Sequence, residues 1–224
     1  SRGAQSGTPP SERSAPVVEV TRTSTAPDGR DAGAPRTSGV SAAEPGTRER
    51  GTTKVSSGPD DELAPNLLAA DGSALPQTHE LPRADSPGFH GRLERLVTAI
   101  ARDEPELALP AFFPRVAYQQ VKAIADPARD WQQRLVRAFE RNIHEYHQTL
   151  GSDAAGAVFA GLTMREQGVR WMNPGSEGNR VGYYRVTRSQ LRVRLPNGTQ
   201  RSLELTSLIS WRGEWYVVHL HGFS

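Results

Sequence analysis

The sequence predicts an α+β domain, with N-terminal helices packed on a curved antiparallel sheet and a long disordered tail in front. Three observations predict it. All 15 aromatic residues lie between Phe89 and Phe223, and none falls in residues 1–88. Apolar residues recur at helical spacing from Phe89 to Leu162. From Val169 to Leu220 they alternate with period two between turns of Gly, Asn and Pro.

Residues 1–86 hold 10 of the 17 prolines and are otherwise rich in Gly, Ser, Thr and Ala. Such a stretch cannot bury enough apolar surface to offset its ordering entropy. Residues 1–86 are therefore read as a tail or linker, and residues 87–224 as a single domain with enough chain for a core. On this division, removing residues 1–86 should leave unfolding of the rest nearly unchanged. Within the tail, Asp60-Asp61-Glu62 is a short acidic cluster. Leu67-Leu68-Ala69-Ala70 is its one apolar spot, either a chance cluster or a short docking segment.

Ser86 before Pro87 is a favoured helix start, and Phe89, Leu93, Leu96, Val97 and Ile100 form one stripe. Asp103-Glu104-Pro105 ends that helix, and a short turn over Glu106 to Leu109 follows. Val116, Ala117, Tyr118, Val121 and Ile124 predict a second, shorter helix. Asp126 then caps a third, with Pro127 at its first position. Trp131, Leu135, Ala138, Phe139, Asn142, Ile143, Tyr146 and Leu150 make this the strongest helical stripe, and Gly151 stops it. A weak fourth helix is expected over Asp153 to Leu162. Strands are expected at Val169–Met172, Gly182–Val186, Leu191–Leu195, Leu203–Trp211 and Trp215–Leu220. Pro196-Asn197-Gly198 fits a three-residue hairpin loop that pairs Leu191 with Leu203. A two-residue turn would slip the register and send the apolar set to the wrong face. Arg212-Gly213 marks the last hairpin, but its register stays open, and with it the side to which His219 points.

Composition narrows the function classes. Residues 1–86 carry 9 Lys+Arg against 12 Asp+Glu, and residues 87–224 carry 18 against 13. That surplus is too small to argue nucleic-acid binding unless it clusters. Only Lys54 and Lys122 are lysines among 27 basic residues, a bias read as a GC-rich, bacterial genome. The absence of cysteine excludes disulfides, thiol nucleophiles and Cys-ligated metals. No run approaches the ~20 apolar residues of a membrane span. The chain opens on Ser1-Arg2-Gly3-Ala4, and a Pro/Ser/Thr-rich leader of this kind predicts an exported, tethered protein, periplasmic or at the cell surface. A lipid anchor would fall on a residue before Ser1. The alternative is that Ser1 is an arbitrary boundary rather than a processing site.

Leu93 to Glu106 followed by Phe112-Phe113-Pro114-Arg115, and the closing Gly213-Glu214-Trp215-Tyr216-Val217-Val218, resemble the cystatin-like cone of the nuclear-transport-factor-like and SnoaL-like superfamily. The resemblance covers residues 87–224 and rests on pattern. It departs in one place: such domains usually place a strand soon after the second helix, and none is evident. The chain is also similar to exported bacterial lipoproteins. Neither likeness implies an activity, because this superfamily hosts enzymes and binding modules alike.

In a cone of this shape the pocket lies between the sheet and the long helix. Tyr118, Trp131, Trp171, Tyr183 and His219 are its candidate lining, unless they simply fill the core. His219 paired with Asp130 or Glu166 could act as a general base in a small hydrolase or isomerase. His144 and His147, with Glu140 one turn earlier and His219 and His221 on the last strand, are weak metal candidates. No His-Glu-x-x-His occurs, and a solvated helix face explains the helical pair as well. Arg192, Arg194 and Arg201, among a wider run of arginines, could form an anion surface or the solvated face of a half-exposed sheet. Asn197-Gly198-Thr199 matches a glycosylation sequon, a match common by chance. The reading that follows is a non-catalytic, envelope-associated module that binds a small ligand or an envelope protein. It needs no cofactor, and the sheet face offers a surface for a homodimer.

Overall fold

Ser86 opens the first helix as its chemistry predicts. Its backbone is extended, its Oγ accepts from the amide of Phe89, and Pro87 occupies the first helical position. Helix α1 (Pro87–Arg102) buries Phe89, Leu93, Leu96, Val97 and Ile100, the expected stripe, and ends at a left-handed Asp103. A computed structural model describes Val18–Glu19 and residues 67–221 of the chain. Most of the expected tail, with the acidic cluster at residues 60–62, lies outside the described residues.

A 3-10 segment, Pro105–Ala111, leads to α2 (Arg115–Val121). Asp126 caps α3 (Pro127–Asp130), accepting from the amide of Arg129 at 2.9 Å. The helix then widens into a π-helical turn, Trp131–Val136, and continues as α4 (Arg137–Leu150). The spacing of Trp131, Leu135 and Phe139 fits an uninterrupted helix equally well, so the sequence carries no sign of that wide turn.

The expected fourth helix is overturned. Gly151–Gly156 is a 3-10 turn, and Val158–Met164 is a strand, β2. The physical reason is a β-bulge. Phe159 faces Val193 and Gly161 faces Arg192, so Ala160 is extra. One extra residue breaks the period of two. It leaves apolar residues at Val158, Phe159 and Leu162, a spacing that imitates a helical face.

The remaining strands are β3 (Arg170–Met172), β4 (Tyr183–Arg194), β5 (Gln200–Trp211) and β6 (Glu214–His219). With β1 (Val18–Glu19) they form an antiparallel sheet of order β1-β2-β4-β5-β6, and β3 also pairs with β4. The two expected segments of β4 are one strand. Leu191 pairs with Leu203, and Gly198 has φ 82°, so the three-residue loop and its register are as expected. The last hairpin is a two-residue turn: Trp211 faces Glu214, with φ 50° at Arg212 and 76° at Gly213.

Leu191, Val193, Leu203 and Leu205 are buried on the inner face, and α1 lies against β2, β6 and α4. Residues 67–85 also contribute, although they fall in the expected tail. Leu67 packs on the core, and Leu68 bridges Ala74 in a small hairpin. Gln77 then ties this strap to the sheet: its Nε2 donates to Ser210 O at 3.1 Å, and its Oε1 accepts from Arg212 N at 2.7 Å. Capping places the helix start at Ser86, but the continuous described chain packs on the folded body from Leu67, 20 positions before Pro87.

Candidate functional site

Residues 121–123, at the C-terminal end of α2, pair through their backbone with residues 178–180. Arg180 N donates to Val121 O, and Ala123 N to Gly178 O. Asn179 is buried and staples the intervening loop: its side-chain amide donates to Asn173 O and Val181 O, and its Oδ1 accepts from Glu177 N. This loop, the π-helical turn and the inner face of β4, β5 and β6 enclose a cavity of about 380 Å³. Phe113, Val121, Leu135, Ile209 and Val218 give it an apolar lining.

Two triads of like construction supply much of the polar lining. In the first, Tyr118 OH donates to Asp130 Oδ2 at 2.5 Å. Arg134 grips the same carboxylate through Nε at 2.8 Å and Nη2 at 2.7 Å, and Nη2 also donates to the Tyr118 hydroxyl. In the second, Tyr183 OH donates to Glu177 Oε2 at 2.8 Å, and Arg185 Nη1 donates to Glu177 Oε1. Burial, reinforced by the neighbouring carboxylate, pushes both phenols well above the usual tyrosine range. They remain donors at neutral pH. The bound Arg134 holds the Asp130 carboxyl below its ordinary range.

Lys122 is the third cation. Its Nζ donates to Glu177 O at 3.2 Å, and it forms no ion pair among the described residues. His219 enters from β6 because of a second bulge. Val217 faces Leu208 but His219 faces Ser207, so Val218 is extra. In an unbroken ladder Val218 would face Ser207 and His219 would lie on the outer face. Burial, with Arg134 and Lys122 adding to it, lowers the His219 pKa to about 4. The ring is therefore neutral at pH 7.

The consequence for stability has a definite sign. Between the unfolded value near 6.5 and about 4, the unfolded chain binds the proton and the folded one does not. The contribution is complete above pH 6.5 and is lost as pH falls toward 4. Melting temperature should therefore drop between pH 7 and pH 5, and His219→Gln should make that drop shallower. An equal drop in the variant would remove His219 as its source.

The structure brings together Tyr118, Tyr183 and His219 and leaves the two tryptophans out. Trp131 turns its Nε1 to Phe113 O at 2.8 Å and its ring to Phe112. Trp171 faces outward beside Tyr184, its ring centroid 3.8 Å from that of His79 in the strap. The expected general-base pairs do not form: Asp130 is committed to Tyr118 and Arg134, and Glu166 sits in an exposed turn away from the cavity.

The other histidines scatter. His144 bonds Asp103 at 2.5 Å, His147 bonds Ile100 O at 2.8 Å, and His221 bonds Glu145 at 2.6 Å. The first two tie α4 to the end of α1. No group of three potential metal ligands occurs among the described residues. The arginine trio divides as well. Arg201 pairs with Val193, so it lies on the face opposite to Arg192 and Arg194. Asn197 sits in its exposed turn, accepting from Thr199 N.

Sequence reasoning missed Lys122, Arg134, Glu177 and Arg185. Signals existed for two of them. Asp130 and Arg134 stand four apart on a predicted helix, and Tyr183, Arg185 and Thr187 share a strand face. Glu177 had none, because only the fold of its loop places it there. No family model matches the chain, and no curated protein or solved structure matches it.

Proposed function

We propose that this domain is a non-catalytic module that holds a small, partly apolar molecule in the cavity between the sheet and the helices. One observation carries the reading: the carboxylates beside the cavity are already engaged, each by a phenol and a guanidinium. Groups committed to one another shape a pocket and give it polarity, but they offer no free base. His219 does not fill that role. With a pKa of about 4 it has little driving force to take a proton at neutral pH. This argues against the hydrolase or isomerase reading. The volume falls at the small end of the range for ligand pockets, roughly 300–1,000 Å³.

The layout of helices over a concave antiparallel face supports the likeness to the nuclear-transport-factor-like superfamily. The composition of the leader supports an exported, tethered setting at the cell envelope.

Nile red, a neutral dye that brightens in apolar surroundings, tests the cavity. The wild-type chain should enhance its emission. Thr187 is exposed and lines the cavity, so Thr187→Trp should block entry and remove most of the enhancement. A surface change of this kind should shift melting by no more than about 2 °C. Full enhancement in a folded Thr187→Trp variant would exclude the cavity as the site.

A further inference from the structure

We propose that the ligand is a monoanion, with a carboxylate head held by Lys122 and an apolar body lying along Phe113, Val121, Leu135 and Ile209. The inference rests on the binding reading above and names the chemistry that the same cavity selects.

The charges decide the class. Lys122, Arg134 and Arg185 face the cavity, and Asp130 and Glu177 stand against the two arginines. Three cations against two carboxylates leave one positive charge, and it resides on Lys122. That ammonium has three N–H donors and spends one on a main-chain carbonyl, Glu177 O. The other two suit a carboxylate. His219 does not add to the count, since its ring is neutral at pH 7.

The alternatives are each penalised. A neutral ligand of the same shape would strip water from Lys122 and return no counter-charge. A dianion would leave one negative charge without a partner in a half-enclosed site. The apolar lining rejects a small inorganic anion, which would leave that surface empty of contacts. The hydroxyls of Thr187 and Ser207 have no hydrogen-bond partner among the described residues, so they can serve a polar group on the ligand body.

Decanoate and 1-decanol are a matched pair of probes, alike in chain length and differing in head-group charge. Titration at pH 7.5, followed by tryptophan fluorescence or by competition with Nile red, should show decanoate binding roughly tenfold more tightly than the alcohol. Lys122→Gln keeps a donor but removes the charge, so it should abolish this preference, and Lys122→Arg should keep it. A melting curve for each variant checks that it folds. Equal binding of both probes, or a preference that survives Lys122→Gln, would overturn the monoanion assignment and leave the cavity reading intact. Failure of both probes to bind would overturn the cavity reading itself, and the assignment with it.

Discussion

Replacing Glu214 with alanine should destabilise the domain by about 3 kcal/mol, near the low end for breaking a buried ion pair. Its partner Arg92 sits in the core, with a side chain only 1% exposed. Arg92 Nη2 donates to Glu214 Oε2 at 2.6 Å and to Trp215 O at 3.0 Å, and the guanidinium lies 4.7 Å from the Tyr216 ring centroid. Ser86 Oγ, which caps α1, reaches the same carboxylate at 3.0 Å. Glu214 therefore anchors a buried charge and a helix start to the β5–β6 turn. Its removal deprives a desolvated guanidinium of this counter-charge.

The reverse substitution should be milder. Arg92→Met leaves Glu214, which is 22% exposed, to be solvated and held by Ser86, while methionine refills most of the volume. We expect a loss of about 1–2 kcal/mol. Urea unfolding of the two variants checks the order. Should Arg92→Met cost as much as Glu214→Ala, desolvation of Arg92 is not what makes the pair matter.

The second large effect concerns the strap. Removing residues 1–66 takes away only the two-residue strand β1 among the described elements, so the loss should stay below about 1 kcal/mol. Removing residues 1–85 should cost about 3 kcal/mol more. Three anchors make the difference: Gln77 on Ser210 O and Arg212 N, Arg212 Nη1 on Pro76 O, and Gln120 Nε2 on Leu75 O at 3.1 Å. Each contributes about 1 kcal/mol net, and His79 against Trp171 adds apolar contact. The entropy of ordering the strap offsets part of this sum. Thermal unfolding of the two truncated chains separates the terms. Equal melting temperatures would return the boundary to Ser86, where composition alone places it.

That strap shows why composition misled at the boundary. Residues 67–85 lack aromatic residues and include Pro76 and Pro82, so they read as tail. Their order comes from Gln77 and Leu75 meeting backbone groups on β5 and a side chain on α2, more than 40 residues away in sequence. No local pattern announces such contacts. The same distinction explains β2. Its bulge at Ala160 belongs to the pairing with β4, so the apolar spacing in the isolated segment imitated a helix.

The α+β class, the start of α1 at Ser86-Pro87, the cap at Asp126 and the register of the β4–β5 hairpin are all legible in the residues alone. These follow from periodicity, capping and turn chemistry, which act within a few residues. The aromatic pattern also groups Tyr118, Tyr183 and His219 as candidate lining, but leaves the orientation of His219 open. That orientation is set by strand pairing, through the single extra residue Val218 in β6. Loop docking likewise brings Lys122, at the end of α2, to Glu177, 55 residues further on. Bulges and loop docking are set by pairing between distant strands and segments, and their energy appears only when the partners meet.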